Sequence, residues 1–173
     1  MKKLIALLMA ISMVLCFAAC GDGETDPTGT QSSTQGSNNG ADEFFFEYNG
    51  VKITLNASAE PIVEALGEPT KYSESTSCAF EGLDKTYSYP SFHLETYPKD
   101  GKDFIYGWWF VDDMVETPEG ICIGTAQADV EAAYGTDGFN GTNAYTVKRG
   151  SGVLTIILKD GAVDSIQYAL VVD

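Results

Sequence analysis

Few side chains in this sequence could carry chemistry. There is one histidine, there are four cysteines, and 25 carboxylates face 10 basic groups. His93 stands two residues from Ser91 and two from Glu95, which places all three on one face of a strand. Same-face neighbours on a strand are about 6.6–7 Å apart, too far for a hydrogen bond without long side chains. No Gly-x-Ser-x-Gly elbow presents a nucleophile, so acyl transfer has no candidate triad. Asp112, Asp113, Glu116 and Glu119 supply hard oxygens of the kind calcium takes. The Asp-x-Asp-x-Asp-Gly loop is absent, however, and a solvated link is the better reading. One histidine cannot build a His-rich metal site, and the cysteine spacing fits no zinc motif. With no phosphate loop or nucleotide fingerprint either, the expectation is a chain that is not an enzyme and takes neither cofactor nor metal.

Aromatic density is the stronger signal. Alternation along a strand puts Phe104, Tyr106, Trp108 and Phe110 on one face, and Ile105, Gly107, Trp109 and Val111 on the other. Tyr87 and Tyr89 share a parity on a neighbouring stretch. Tyr and Trp combine large contact area with a polar tip, so Tyr87, Tyr89, Tyr106 and Trp108 are the candidate ligand-binding residues. Packing inside a sheet is the competing reading, and Trp109, beside Ile105 and Val111, is the more core-like of the tryptophans. Cys78 and Cys122 could form a disulfide in an exported domain, or remain two buried thiols; spacing does not decide between these.

These groups must be positioned by what surrounds them, beginning with the leader. Lys2 and Lys3 precede an apolar run from Leu4 to Phe17 broken only by Ser12. The run is too short for a bilayer span of about 20 residues and fits the apolar region of a signal peptide. It ends in Phe17-Ala18-Ala19-Cys20-Gly21. Cys16 is the poorer cleavage-site cysteine, because bulky Val14 and Leu15 precede it. This stretch resembles the lipobox of bacterial lipoproteins, with Phe17 where leucine is usual. The resemblance implies that residues 1–19 are removed and that Cys20 carries the lipid (diacylglycerol and palmitate). Anchoring by more than one acyl chain is stable where one is marginal. Residues 20–41 have almost no apolar bulk and read as a disordered linker. Its coil dimension is about 25 Å, and about 70 Å when drawn out.

Residues 42–173 are expected to fold as one α+β domain, large enough to bury about two-thirds of its surface. Asn49-Gly50 between two apolar runs predicts a hairpin. Ser58 to Gly67 predicts a short helix with Ser58 as its cap, and Gly124 to Gly135 a second one. Strands are predicted over Thr76–Phe80, Lys85–Tyr97 and Asp103–Val111, then over Ala144–Lys148, Gly152–Leu158 and Ala162–Val172. Lys159-Asp160-Gly161 echoes Lys99-Asp100-Gly101. The expected fold class is therefore a tandem repeat of one short helix plus three or four antiparallel strands. The repeats, 42–116 and 117–173, would form one antiparallel sheet layer with the helices on one face.

Helices ending in Leu66-Gly67 and Tyr134-Gly135 ahead of strands resemble the β-lactamase-inhibitory-protein fold and the related small outer-membrane-assembly lipoproteins. The blocks Phe46–Gly67 and Cys78–Lys85 also resemble lipoproteins of Gram-positive gut bacteria. The first resemblance implies a concave sheet that grips a partner. Inhibition of β-lactamase is not carried over, because each repeat here has one cysteine where the inhibitors have a disulfide.

A net charge of −15 repels phosphates and anionic lipid heads, so nucleic acid is not an expected partner. The expected function is that of an extracytoplasmic, membrane-anchored binding module for a protein, peptide or glycan. A non-enzymatic envelope scaffold without a ligand pocket is the alternative.

Overall fold

The computed structural model describes residues 43–139 and 141–171. The expected signal peptide, Cys20 and the linker to residue 41 lie outside the described residues. No helix among the described residues is long and apolar enough to cross a membrane.

Short turns set the strand pairing. β1 (Phe45–Tyr48) and β2 (Val51–Thr54) meet across Asn49-Gly50, at φ 50° and 79°. Two successive positive φ angles match a type I′ turn, which Asn-Gly adopts at little cost. Asp100-Gly101 (52° and 72°) joins β5 (Phe92–Lys99) to β6 (Lys102–Phe110) in the same way. Asp160-Gly161 (53° and 80°) joins β8 (Gly152–Lys159) to β9 (Ala162–Leu170). The remaining strands are β3 (Lys71–Thr76), β4 (Leu83–Ser88) and β7 (Ala144–Arg149). Two eight-residue helices, α1 (Ala59–Leu66) and α2 (Gln127–Tyr134), each end at a glycine with positive φ. Ser58 makes no side-chain cap bond; it bridges to Phe104 of β6 instead.

Seven strands form one antiparallel sheet in the order β3-β4-β5-β6-β9-β8-β7. Its inner face carries Phe92, Leu94, Trp108, Leu154, Ile156, Ile166 and Tyr168, all fully buried. The β1–β2 hairpin lies over this face through Phe44, Phe46 and Ile53. Ile62, Val63 and Leu66 of α1 and Val130, Ala133 and Tyr134 of α2 pack on the same core. Trp108 stacks on Tyr168 with centroids 4.9 Å apart and also lies over Phe46. Burying a side chain of this size stabilises the fold by roughly 1.5–3 kcal/mol.

The tandem-repeat expectation is corrected. The molecule is mostly β, with one large antiparallel sheet and two helices, and it is not a repeat of helix plus strands. The hairpin ahead of α1 has no counterpart ahead of α2, because residues 120–123 form no strand. A helix closed by glycine is a local device that many chains use, so two of them do not establish a repeat. Two strand boundaries also differ. The expected strand 85–97 is broken at Tyr89-Pro90-Ser91 into β4 and β5, and the expected strand 76–80 is mostly a loop. Proline lacks the N–H that a continuous ladder needs.

A bulge interrupts β6. Glu95 pairs with Gly107, whereas the next residue, Thr96, pairs with Ile105, leaving Tyr106 as the extra residue. Trp108 and Ile105, three positions apart, therefore both face the core, and each is 0% exposed. Beyond the bulge β9 no longer pairs with β6. Asn56 and Ala57 take its place through bonds of 2.8 and 2.9 Å with Ile105.

Candidate functional site

The four aromatic residues expected to bind ligand do not share a surface. Trp108 is wholly buried in the core and Tyr89 is 4% exposed, its hydroxyl 3.5 Å from the Gly67 carbonyl oxygen. Tyr87 pairs with Leu94 on the inner face and borders a cleft beside the start of α1. Only Tyr106 opens onto the outer face. The bulge is the reason: unbroken alternation would put Tyr106 and Trp108 together, and the extra residue separates them. Trp109 is half-buried on the outer face, so the expected roles of the two tryptophans are reversed. Of the two readings left open for Cys78 and Cys122, the structure has both as free thiols, Cys78 exposed rather than buried and Cys122 half-buried. The Cys122 sulfur is 3.4 Å from Thr125 Oγ1.

The acidic run serves the fold. Glu119 pairs with Arg149 at 2.7 Å and accepts a bond from the Tyr134 hydroxyl at 2.8 Å. Asp112 accepts the Met114 N–H at 3.0 Å. Among the described residues, no group of three or more metal-capable side chains is assembled. His93 packs against Trp109, with centroids 4.9 Å apart, and its Nδ1 is buried without a hydrogen-bond partner among the described residues. Burial, then the Lys71 charge, lowers its pKa, so the ring is neutral near pH 7. Ser91 lies before β5, outside the strand, and is buried.

The outer face of the sheet is open. Register aligns Ser88, His93, Trp109, Gln167 and Thr155 across five strands, and none of these side chains is buried. On this side the loop between β3 and β4 folds over the sheet beside the bulge. Ser77 Oγ accepts the Phe80 N–H at 3.1 Å, and the Ser77 N–H reaches the Gly82 carbonyl at 3.0 Å. The loop and sheet enclose a cavity of about 280 Å³, lined by Ser77, Cys78, Ala79, Phe80, Asp84, Glu95, Thr96, Tyr97 and Tyr106. A shallow groove of similar volume, lined by Glu95, Trp109, Ser165, Ile166 and Gln167, lies beside it. Glu95 belongs to both.

Three rings form the apolar wall. Tyr97 lies 4.6 Å from Phe80 and 6.4 Å from Tyr106, centroid to centroid. The Tyr97 hydroxyl donates to Asn56 Oδ1 at 2.6 Å, which fixes the ring. The polar wall is under-satisfied: Asp84 Oδ1 is buried and has no hydrogen-bond partner among the described residues. Thr96 Oγ1 is likewise without a partner among them, but Thr96 pairs with Lys85 and Ile105 and so points to the inner face. Burial, then the nearby Asp84 charge, raises the Glu95 pKa. Ion pairs among the described residues join Lys85 to Asp103 and Arg149 to Glu119, and neither involves Asp84 or Glu95. Sequence reasoning paired Glu95 with His93 and did not single out Phe80, Asp84 or Tyr97. Their convergence depends on a loop closing over a bulged strand, which leaves no periodic mark.

No family model matches the chain, and no curated protein does. Among solved structures it is similar to a cysteine-rich secretory protein from Staphylococcus aureus, with a TM-score of 0.47 and 10% identity over 67% of this chain and 44% of that one. It is also similar to an extracellular protein containing an SCP domain from Bacillus anthracis, with a TM-score of 0.40 and 13% identity over 66% and 43% of the two chains. The chain thus spans less than half the length of either protein.

Proposed function

We propose that the chain is an extracytoplasmic lipoprotein, anchored to the membrane through Cys20, whose folded part is a binding module. The leader, with its small residues ahead of Cys20 and a polar linker behind, supports the tethering. The binding site is the cavity and groove that meet at Glu95, replacing the four-ring surface expected from alternation. One observation carries this reading. Asp84 Oδ1, in the lining of this cavity, is buried without a hydrogen-bond partner among the described residues. Native proteins leave few buried polar atoms unpaired, and a bound molecule is one way to satisfy them.

A thermal-shift panel of soluble glycans, short peptides and small envelope metabolites tests it. The expected result is a stabilising ligand whose effect disappears in Tyr106→Ala and persists in Tyr72→Ala, which alters an exposed ring on the edge strand. Hits that survive Tyr106→Ala, or a panel without hits, would overturn the reading.

A further inference from the structure

The character of the cavity narrows its ligand, given that the proposed binding site is correct. Two carboxylates, Asp84 and Glu95, border the cavity, and neither has a cationic partner among the described residues. The nearest lysine on β4, Lys85, faces the other side of the sheet and is committed to Asp103 at 2.6 Å. The same cavity is lined by the rings of Phe80, Tyr97 and Tyr106. Aromatic faces attract cations through the ring quadrupole, most strongly where water is excluded. The molecule already seats one ammonium in this way, with Lys52 Nζ 4.4 Å from the Phe45 ring centroid.

We infer that this cavity is a site for a small organic ammonium, held between the Phe80–Tyr97–Tyr106 rings and the Asp84 and Glu95 carboxylates. Its volume of about 280 Å³ has room for about nine waters, enough for an alkylammonium head group and too little for a folded partner. A divalent metal fits less well. Calcium takes six to eight oxygens, and here two carboxylates and a few hydroxyls share the lining with three rings and a thiol. Burial, then the Asp84 charge, disfavours the Glu95 carboxylate, and a cation beside it would offset both. An acidic chain also concentrates small cations near its surface.

Calorimetric titration of the purified full-length protein tests the inference with choline, tetramethylammonium and butylamine. The uncharged choline isostere 3,3-dimethylbutan-1-ol and calcium chloride serve as further probes. At least one ammonium should bind, and at least tenfold more tightly than the neutral isostere. The isosteric Glu95→Gln should weaken binding about tenfold, and Tyr106→Leu should weaken it similarly. Quaternary and primary ammonium head groups are told apart by which of the three probes binds. Cys78, an exposed thiol on the rim, gives a second readout: bound ammonium should slow its maleimide labelling several-fold. Three outcomes would overturn the inference: no ammonium bound at tens of millimolar, equal affinity for the neutral isostere, or binding of calcium alone. A glycan or peptide that binds in a Tyr106-dependent way while the ammonium probes do not would refute this inference and leave the binding module standing.

Discussion

At the residue scale, Glu95 shows the clearest conflict between stability and surroundings. Burial and Asp84 raise its pKa in the folded chain, so its charged form is less favourable there than in the unfolded chain. The folded state therefore holds more protons between the ordinary glutamate value and the raised one, and stability falls as pH rises through that window. Glu95→Gln removes this titration. The mutant should melt higher than wild type at pH 7, and the advantage should shrink as pH drops toward 4.5, as read from melting temperatures across a pH series. A lower melting temperature at pH 7 would mean that the Glu95 carboxylate has a stabilising partner. A carboxylate retained at a cost to stability is what a binding role would require.

At the scale of elements, the β6 bulge is the decisive feature. It turns Tyr106 outward, keeps both Ile105 and Trp108 in the core, and releases β6 from β9 so that Asn56 and Ala57 can pair with Ile105. Gly107 sits beside it at the sheet centre, where an added Cβ would run into the Tyr168 carbonyl oxygen and press on the Ala169 backbone. Gly107→Ala should therefore destabilise the fold by about 1–3 kcal/mol, the usual cost of overpacking. Urea denaturation would measure this, and a near-ultraviolet circular dichroism change would report the disturbed Trp108–Tyr168 stack. An unchanged midpoint would show that β6 and β9 can separate at that point without penalty.

At the scale of the molecule, the sheet has two unlike faces. One is sealed by the β1–β2 hairpin and the helices, and the other carries polar side chains, Trp109 and the cavity. On the proposed tether, that open face samples a zone of tens of ångströms from the membrane. The anchor has an independent check: labelled palmitate should enter the wild-type chain in bacterial cells and not Cys20→Ala. Label persisting in the mutant would refute the acylation of Cys20. Binding and anchoring are separable, so loss of the label should leave ligand affinity intact.

The sequence alone determined what depends on near neighbours. Asn49-Gly50, Asp100-Gly101 and Asp160-Gly161 were legible as turns because positive φ is a property of the dipeptide. Both helices and their glycine ends were legible for the same reason. So was the abundance of aromatic side chains, although not which of them reach water. Tertiary structure decided the rest. A one-residue bulge reverses side-chain parity and leaves composition untouched, so Trp108 and Trp109 exchanged their expected places. The strand order and the single mostly-β sheet come from pairings between distant segments such as β6 and β9. The cavity exists because the 77–80 loop closes over β5 and β6, a long-range contact that brings two carboxylates and three rings together. No spacing along the chain encodes that meeting.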